Sequence, residues 1–258
     1  MTSVASFESL DDLRRAFRGL RADESVVGRW VDTAAAGWTA ARGQRAVLVC
    51  GCGRSSGTTT VALALATAAG QGRVVETNGG LESGLAFAAS AELGTVERQW
   101  LRGSRGPVIV ERRAESAGSP ELVPAPADTD AALTVIDSSW DVASLLGSPG
   151  WLGELARTGA AVVLVAQTTI PGLRRLEAAL QAVGEGRAVA VTVGAKRWPR
   201  PVEQSAGAAV RHLRDEGRII HVPHDPALAL SGLTPDPVPP AIIRPARALL
   251  TLLEGPLS

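Results

Sequence analysis

Tyrosine is absent from this 258-residue chain, and cysteine occurs only twice. Lysine is scarcer still, and each shortage closes off some chemistry. Lys196 is the sole lysine, every other basic side chain being arginine, so a mechanism that needs an ammonium group must use Lys196 or do without. The surplus of arginine, alanine and glycine is what GC-rich coding produces and calls for no functional cause. Cys50 and Cys52 are too close together to staple a fold, and a buried apolar role at a strand end suits them better than metal or redox work. Net charge is lacking too. At a formal zero, it removes any global electrostatic case for nucleic acid or an anionic membrane. No apolar run reaches the roughly 18 residues of a membrane span. The first residues hold no basic segment followed by an apolar core, so no signal peptide is expected and the cytoplasm is the expected compartment.

What is present is a globular composition, 45% hydrophobic, in a chain long enough for one large core. Residues 1–44 read as a helical extension. Ser9-Leu10-Asp11-Asp12 has the form of a capping box. Val26, Trp30, Ala34 and Trp38 recur every four residues, the stripe of a docking helix. Asp23-Glu24-Ser25 would load its first turn with negative charge, where the helix dipole favours it.

From residue 45 the pattern changes to short apolar runs alternating with helical stretches. Strands are expected at 45–50, 74–75, 108–110, 133–137, 160–165, 188–193 and 218–222. Helices are expected at 59–69, 173–183, 206–214 and 246–253, with a proline-rich loop at 114–130. This alternation predicts an α/β fold over residues 45–258, a mostly parallel twisted sheet with helices on both faces, preceded by the N-terminal helices. The last helix is short and expected to pack onto the domain, so a membrane is not an expected partner.

One segment carries the functional argument. Val47 to Cys50 is a strand, Gly51-Cys52-Gly53-Arg54-Ser55-Ser56-Gly57 a glycine-rich turn, and Thr58-Thr59-Thr60 the start of a helix. Successive backbone N–H groups and a helix N-terminus make such a turn an anion cradle. Against the pattern G-x-x-x-x-G-K-[ST], Cys52 stands at the first glycine and Gly57 at the second. Thr58 stands at the lysine, and Thr59 at the hydroxyl that meets magnesium.

The segment Gly53 to Thr60 resembles the K-G-G-x-G-K-T-T loop of the ParA/MinD family of P-loop ATPases, with both lysines missing, at Gly53 and Thr58. Three later features fall in that family's order. Glu76-Thr77-Asn78-Gly79-Gly80-Leu81 resembles its D-x-D-x-G-L switch, Val135-Ile136-Asp137 its Walker B strand, and the segment from Ile219 to Asp225 its strand-then-turn. The resemblance implies ATP and Mg2+ as cofactors, with Gly53, Arg54, Ser55, Ser56, Gly57, Thr58, Thr59 and Thr60 around the phosphates. It also implies Lys196 and Arg197 near the base, Thr59 and Asp137 at the metal, and Asn78 where an aspartate places water. The bland alternatives are a plain strand–helix turn and a strand-end aspartate.

The missing lysines weaken hydrolysis more than binding. A loop lysine is a point charge on the β- and γ-phosphates, and Asn78 cannot accept a proton. A positioning or scaffold protein with weak or no hydrolysis is the first expectation, working through protein partners or a homodimer. The CpaE/TadZ branch of the family also shows altered loop lysines, although the residues before the first strand are too few for the receiver-like domain many of its members carry. The alternative is an active ATPase in plasmid partition, conjugation or pilus positioning, with Arg54 or a partner's arginine replacing the lysine. DNA would then be touched by the clusters Arg98, Trp100, Arg102, Arg105 and Lys196-Arg197-Trp198. A small-molecule kinase or synthetase has no acceptor-site motif to support it. His221 and His224 lack a third ligand and read as turn residues.

Overall fold

The computed structural model describes residues 37–79, 83–159 and 161–255. Ser9–Asp12, residues 23–25, Val26, Trp30 and Ala34 of the expected N-terminal helices, and Gly80-Leu81 of the switch segment, lie outside the described residues.

The runs of apolar residues form strands because a parallel sheet covered on both faces buries every position. These are β1 (Arg45–Gly51), β2 (Gly72–Gly79), β5 (Val108–Arg113), β6 (Leu133–Ser138), β7 (Val162–Gln167), β8 (Ala188–Gly194) and β9 (Ile219–Pro223). Two further strands, β3 (Ala91–Val96) and β4 (Trp100–Arg105), extend the sheet antiparallel beyond β5. The order among the described residues is β3-β4-β5-β2-β6-β1-β7-β8-β9, and from β5 to β9 all pairs are parallel.

Alternation along each strand divides the core into two layers. Val47 and Val49 of β1 face one side, where α1 (Thr58–Ala68) and α8 (Pro240–Glu254) pack. Leu48 and Cys50 face the other, against α2 (Val142–Gly147), α3 (Trp151–Thr158), α4 (Ile170–Val183), α5 (Arg200–Gln204) and α6 (Ala208–Asp215). A short α7 (Pro226–Ser231) follows β9, capped by Asp225, whose carboxylate accepts from the Ala227 and Leu228 amides. The terminal helix does pack onto the domain, burying Ile242, Ala246 and Leu249, and it begins at Pro240, earlier than its leucine pattern suggests.

Two expectations are corrected. Residues 37–44 are not helical but lead into β1 through a turn in which Gly43 has φ 86°. Trp38, the last member of the expected stripe, packs edge-on against Trp151 with ring centroids 5.4 Å apart. Trp100, grouped by sequence with arginines as a stacking surface, is fully buried. Burial in β4 takes its face away from any base, and the Arg113 guanidinium lies 5.5 Å over its ring.

Candidate functional site

The turn between β1 and α1 is held by short-range geometry that its residues dictate. Gly57 adopts φ 92°, ψ 17° as the residue before α1, a left-handed conformation that costs a side chain about 1–2 kcal/mol. Ser55 pays that cost at φ 54°, at the place of a family glycine. Thr58, where a lysine would extend outward, turns its hydroxyl to Ser56 Oγ, 2.8 Å away. The two hydroxyls crowd the end of β1, where a Cβ at residue 51 would lie 2.6 Å from each. The loop is also pinned from β7, since Gln167 Nε2 donates to the Ser55 carbonyl at 2.9 Å. Cys52 N donates to the Val165 carbonyl at 2.8 Å.

Beneath the loop lies a pair of buried carboxylates. Glu76 on β2 and Asp137 on β6 are register partners in adjacent parallel strands. Glu76 accepts from Ser83 Oγ and from the Gly84 amide at 2.7 Å. Burial is the main cause raising its pKa. Asp137 is pushed up to about 8, first by burial and then by the Glu76 charge, against a hydrogen bond from Thr59. Its Oδ2 is buried and accepts no hydrogen bond. Thr77 Oγ1 donates to the Asp137 carbonyl at 3.1 Å, tying the two strand ends together.

These residues enclose one cavity of about 1220 Å3. Gly53, Arg54, Ser55, Ser56, Gly57, Thr58, Thr59 and Thr60 line it together with Asn78 and Asp137. Trp140 lines it too. A second cavity of about 310 Å3 opens on the α1 side, between Ser55–Gly57 of the loop and Pro223, His224 and Asp225 after β9.

Lys196 and Arg197 are not brought to the loop. They line a separate cavity with Thr192 and His221, on the sheet face opposite α1. Along β8 Val193 faces the loop side and Thr192 the other, and Lys196 and Arg197, beyond the strand's end, share the cavity on the Thr192 side. Arg175 on α4 was missed by sequence reasoning. A Cβ at residue 53 would lie 2.9 Å from its Nη1, so its guanidinium fills the space beside Gly53, where the resemblance expects a lysine. Only the fold brings residues 53 and 175 together. Burial raises the thiol pKa of Cys50 far above the ordinary range and pushes Cys52 up to about 12, as suits inert thiols. No cluster of three metal-ligating residues occurs among the described residues.

No protein-family model matches the chain, and no curated protein matches it by sequence. Solved structures do. A chain of the MinC:MinD cell division protein complex of Aquifex aeolicus matches at 15% identity and TM-score 0.51, over 80% of this chain and 96% of that one. Apo McdA of Cyanthece matches at 11% identity and TM-score 0.57, over 82% of this chain and all of that one. A candidate plasmid partition protein of Borrelia burgdorferi B31, bound to AMPPNP, matches at 10% identity and TM-score 0.51, over 81% and 97%.

The chain has the MinD/ParA-type P-loop ATPase fold. The 51–60 turn follows β1 and leads into α1, and Asp137 lies near the end of β6. The residues fit Mg2+ and nucleotide in part: a hydrogen bond from Thr59 lowers the Asp137 pKa, and Asp137 Oδ2 is buried and makes no hydrogen bond. Among the described residues, no helix is long and apolar enough to cross a membrane.

Proposed function

We propose that this protein is a ParA/MinD-like positioning or scaffold factor that binds nucleotide at the 51–60 loop and hydrolyses it weakly or not at all. The observation that carries this reading is the loop itself. The glycine-rich turn leads from β1 into α1 and a hydrogen bond from Thr59 lowers the Asp137 pKa, while Thr58, at the place where the resemblance expects a lysine, turns its hydroxyl onto Ser56. Backbone N–H groups 53–58 would hold the phosphates, and Thr59 and Asp137 would hold Mg2+, which when bound supplies charge neutralisation at the phosphate oxygens. Removing a desolvated charge contact from the transition state costs about 3–4 kcal/mol. Asn78 lines the same cavity; it can orient a water but cannot take its proton. Binding without turnover makes the nucleotide a conformational ligand, and a protein partner or a second copy its reader. The complex named for the Aquifex aeolicus relative and the AMPPNP bound by the Borrelia burgdorferi one are consistent with both halves of this reading.

A second reading rests on Arg175. Its guanidinium, packed against Gly53, would restore positive charge at the loop and allow an active ATPase, with Arg54 as a further source.

Calorimetric titration with ATP and ADP, with and without Mg2+, tests the first reading. Magnesium-dependent binding is expected, and it should vanish in Gly57→Val, which puts a branched side chain at φ 92° and 3.4 Å from Val193. No binding at millimolar nucleotide would overturn it. Steady turnover lost in Arg175→Ala or Arg54→Ala would replace it with the second.

A further inference from the structure

The cavity between the ends of β8 and β9 is unrelated to the phosphate loop and has its own chemistry. Thr192, Ile219 and His221 form its floor, on the face of the sheet away from α1. Lys196, Arg197, Trp198, Glu203 and Arg214 complete it, enclosing about 370 Å3. That is at the small end of ligand pockets.

Its charges do not balance internally. Arg214 donates to Glu203 Oε1 at 2.8 Å and lies 4.9 Å over the Trp198 ring, so the cavity's single carboxylate is taken. Lys196 and Arg197 have no carboxylate partner among the described residues. The floor carries two buried polar atoms that make no hydrogen bond, Thr192 Oγ1 and His221 Nδ1. Thr192 is 0% exposed. A buried polar atom left unpaired costs about 1–3 kcal/mol, and native folds keep such atoms where something else supplies the partner. Burial and then the Lys196 charge lower the His221 pKa. A cation or amine would be repelled by three guanidinium and ammonium groups. A ligand bearing negative oxygen atoms would pair both free cations and accept from the Thr192 hydroxyl.

We propose that this cavity binds a small molecule through an oxyanion group, phosphate or carboxylate, held by Lys196 and Arg197 above the Thr192 hydroxyl. The site is separate from nucleotide binding and stands whether or not the phosphate loop is occupied.

The single lysine makes the test local. Reductive methylation with 13C labels Lys196 and the N-terminal amine alone and keeps the charge. The Lys196 dimethyl signal is then followed by NMR while inorganic phosphate or succinate is added, with sodium chloride at matched ionic strength as control. A saturable shift with at least one of the two anions, beyond that caused by chloride, is expected. Phosphate alone would identify a phosphoryl ligand, succinate alone a carboxylate, and both the oxyanion in general. In Thr192→Val the affinity should fall about tenfold, although the variant, having lost only an unpartnered hydroxyl, should melt no lower. Should it melt lower, Arg197→Gln at an exposed, unpaired position carries the same comparison. A shift no greater than that of chloride, or equal affinity in the folded Thr192→Val and Arg197→Gln variants, would reduce the effect to surface screening and overturn the proposal.

Discussion

Asp137 faces Glu76 across the β2–β6 pairing, and the two carboxyls share a site too dry for two charges. Both pKa values lie above their ordinary values, with burial the largest cause. A carboxyl whose pKa is raised by folding holds a proton in the folded state that it gives up in the unfolded one. Its contribution to stability is therefore complete below the unfolded value near 4 and is lost as pH rises toward the folded value, about 8 for Asp137. Without magnesium, the melting temperature should fall between pH 5 and pH 8.5. Asp137→Asn keeps the shape and removes the repulsion, so it should flatten that slope and melt higher than the parent at pH 8.5, by about 2–4 °C for each kcal/mol recovered. Thermal melts at the two pH values measure this. A lower melting point for the variant at pH 8.5 would mean that the Asp137 charge is compensated by groups other than Thr59. Both residues were legible from the order of the motifs. Their coupling was not, because it depends on the register that sets residue 76 beside residue 137.

At the scale of elements, a buried ion triad joins the antiparallel strands to the parallel ones. Arg73 on β2 donates through Nε to Glu111 Oε2 at 2.9 Å, and through Nη1 to the Ala127 carbonyl at 2.7 Å. Arg102 on β4 donates to the other carboxylate oxygen at 2.6 Å. Arg73 and Glu111 are both 0% exposed. Taking one partner from such a group leaves a charge buried without its match, at a cost of about 3–5 kcal/mol, whereas replacing the pair by apolar residues is often neutral. Arg73→Met should lose about that much in urea unfolding, and Arg73→Met with Glu111→Leu should regain most of it. Equal losses in the single and double variants would show that Glu111 is satisfied by Arg102 alone. The triad also explains what sequence patterning missed. The strands that form the buried sheet announce themselves as apolar runs. Strands β3 and β4 are rich in Glu, Gly and Arg, and β4 is anchored by buried Trp100 and by Arg102 on the buried Glu111, so neither strand shows an apolar run. Helices α2 and α3 are too short to show a period.

For the whole molecule, the alternation of strands and helices and the order of four weak motifs were enough to read the fold, because each motif sits at a strand end where this topology gathers its loops. The side of the sheet on which a loop residue falls was not readable. A shift of one residue along a strand changes the face, and Lys196 and Arg197, beyond the end of β8, fall in the cavity on the Thr192 side and not at the 51–60 loop. The same burial bears on DNA. The chain has no net charge, Trp100 is enclosed, and Arg102 is committed to Glu111. Arg105 bonds the Asp236 carbonyl, and Arg214 covers one face of Trp198. Base stacking, worth about 1–3 kcal/mol per base where an aromatic face is open, therefore has little to use among the described residues. What remains is counterion release at scattered arginines, which fades steeply with salt. Fluorescence anisotropy of a labelled 30-bp duplex and a labelled 20-nucleotide single strand, with and without ATP, should show no affinity better than about 1 µM at 150 mM salt. Tighter binding without nucleotide would point to a surface outside residues 37–255. Tighter binding only with ATP would point to a surface built by two copies joined through the nucleotide, and would favour a partition-type role over a scaffold that binds protein alone.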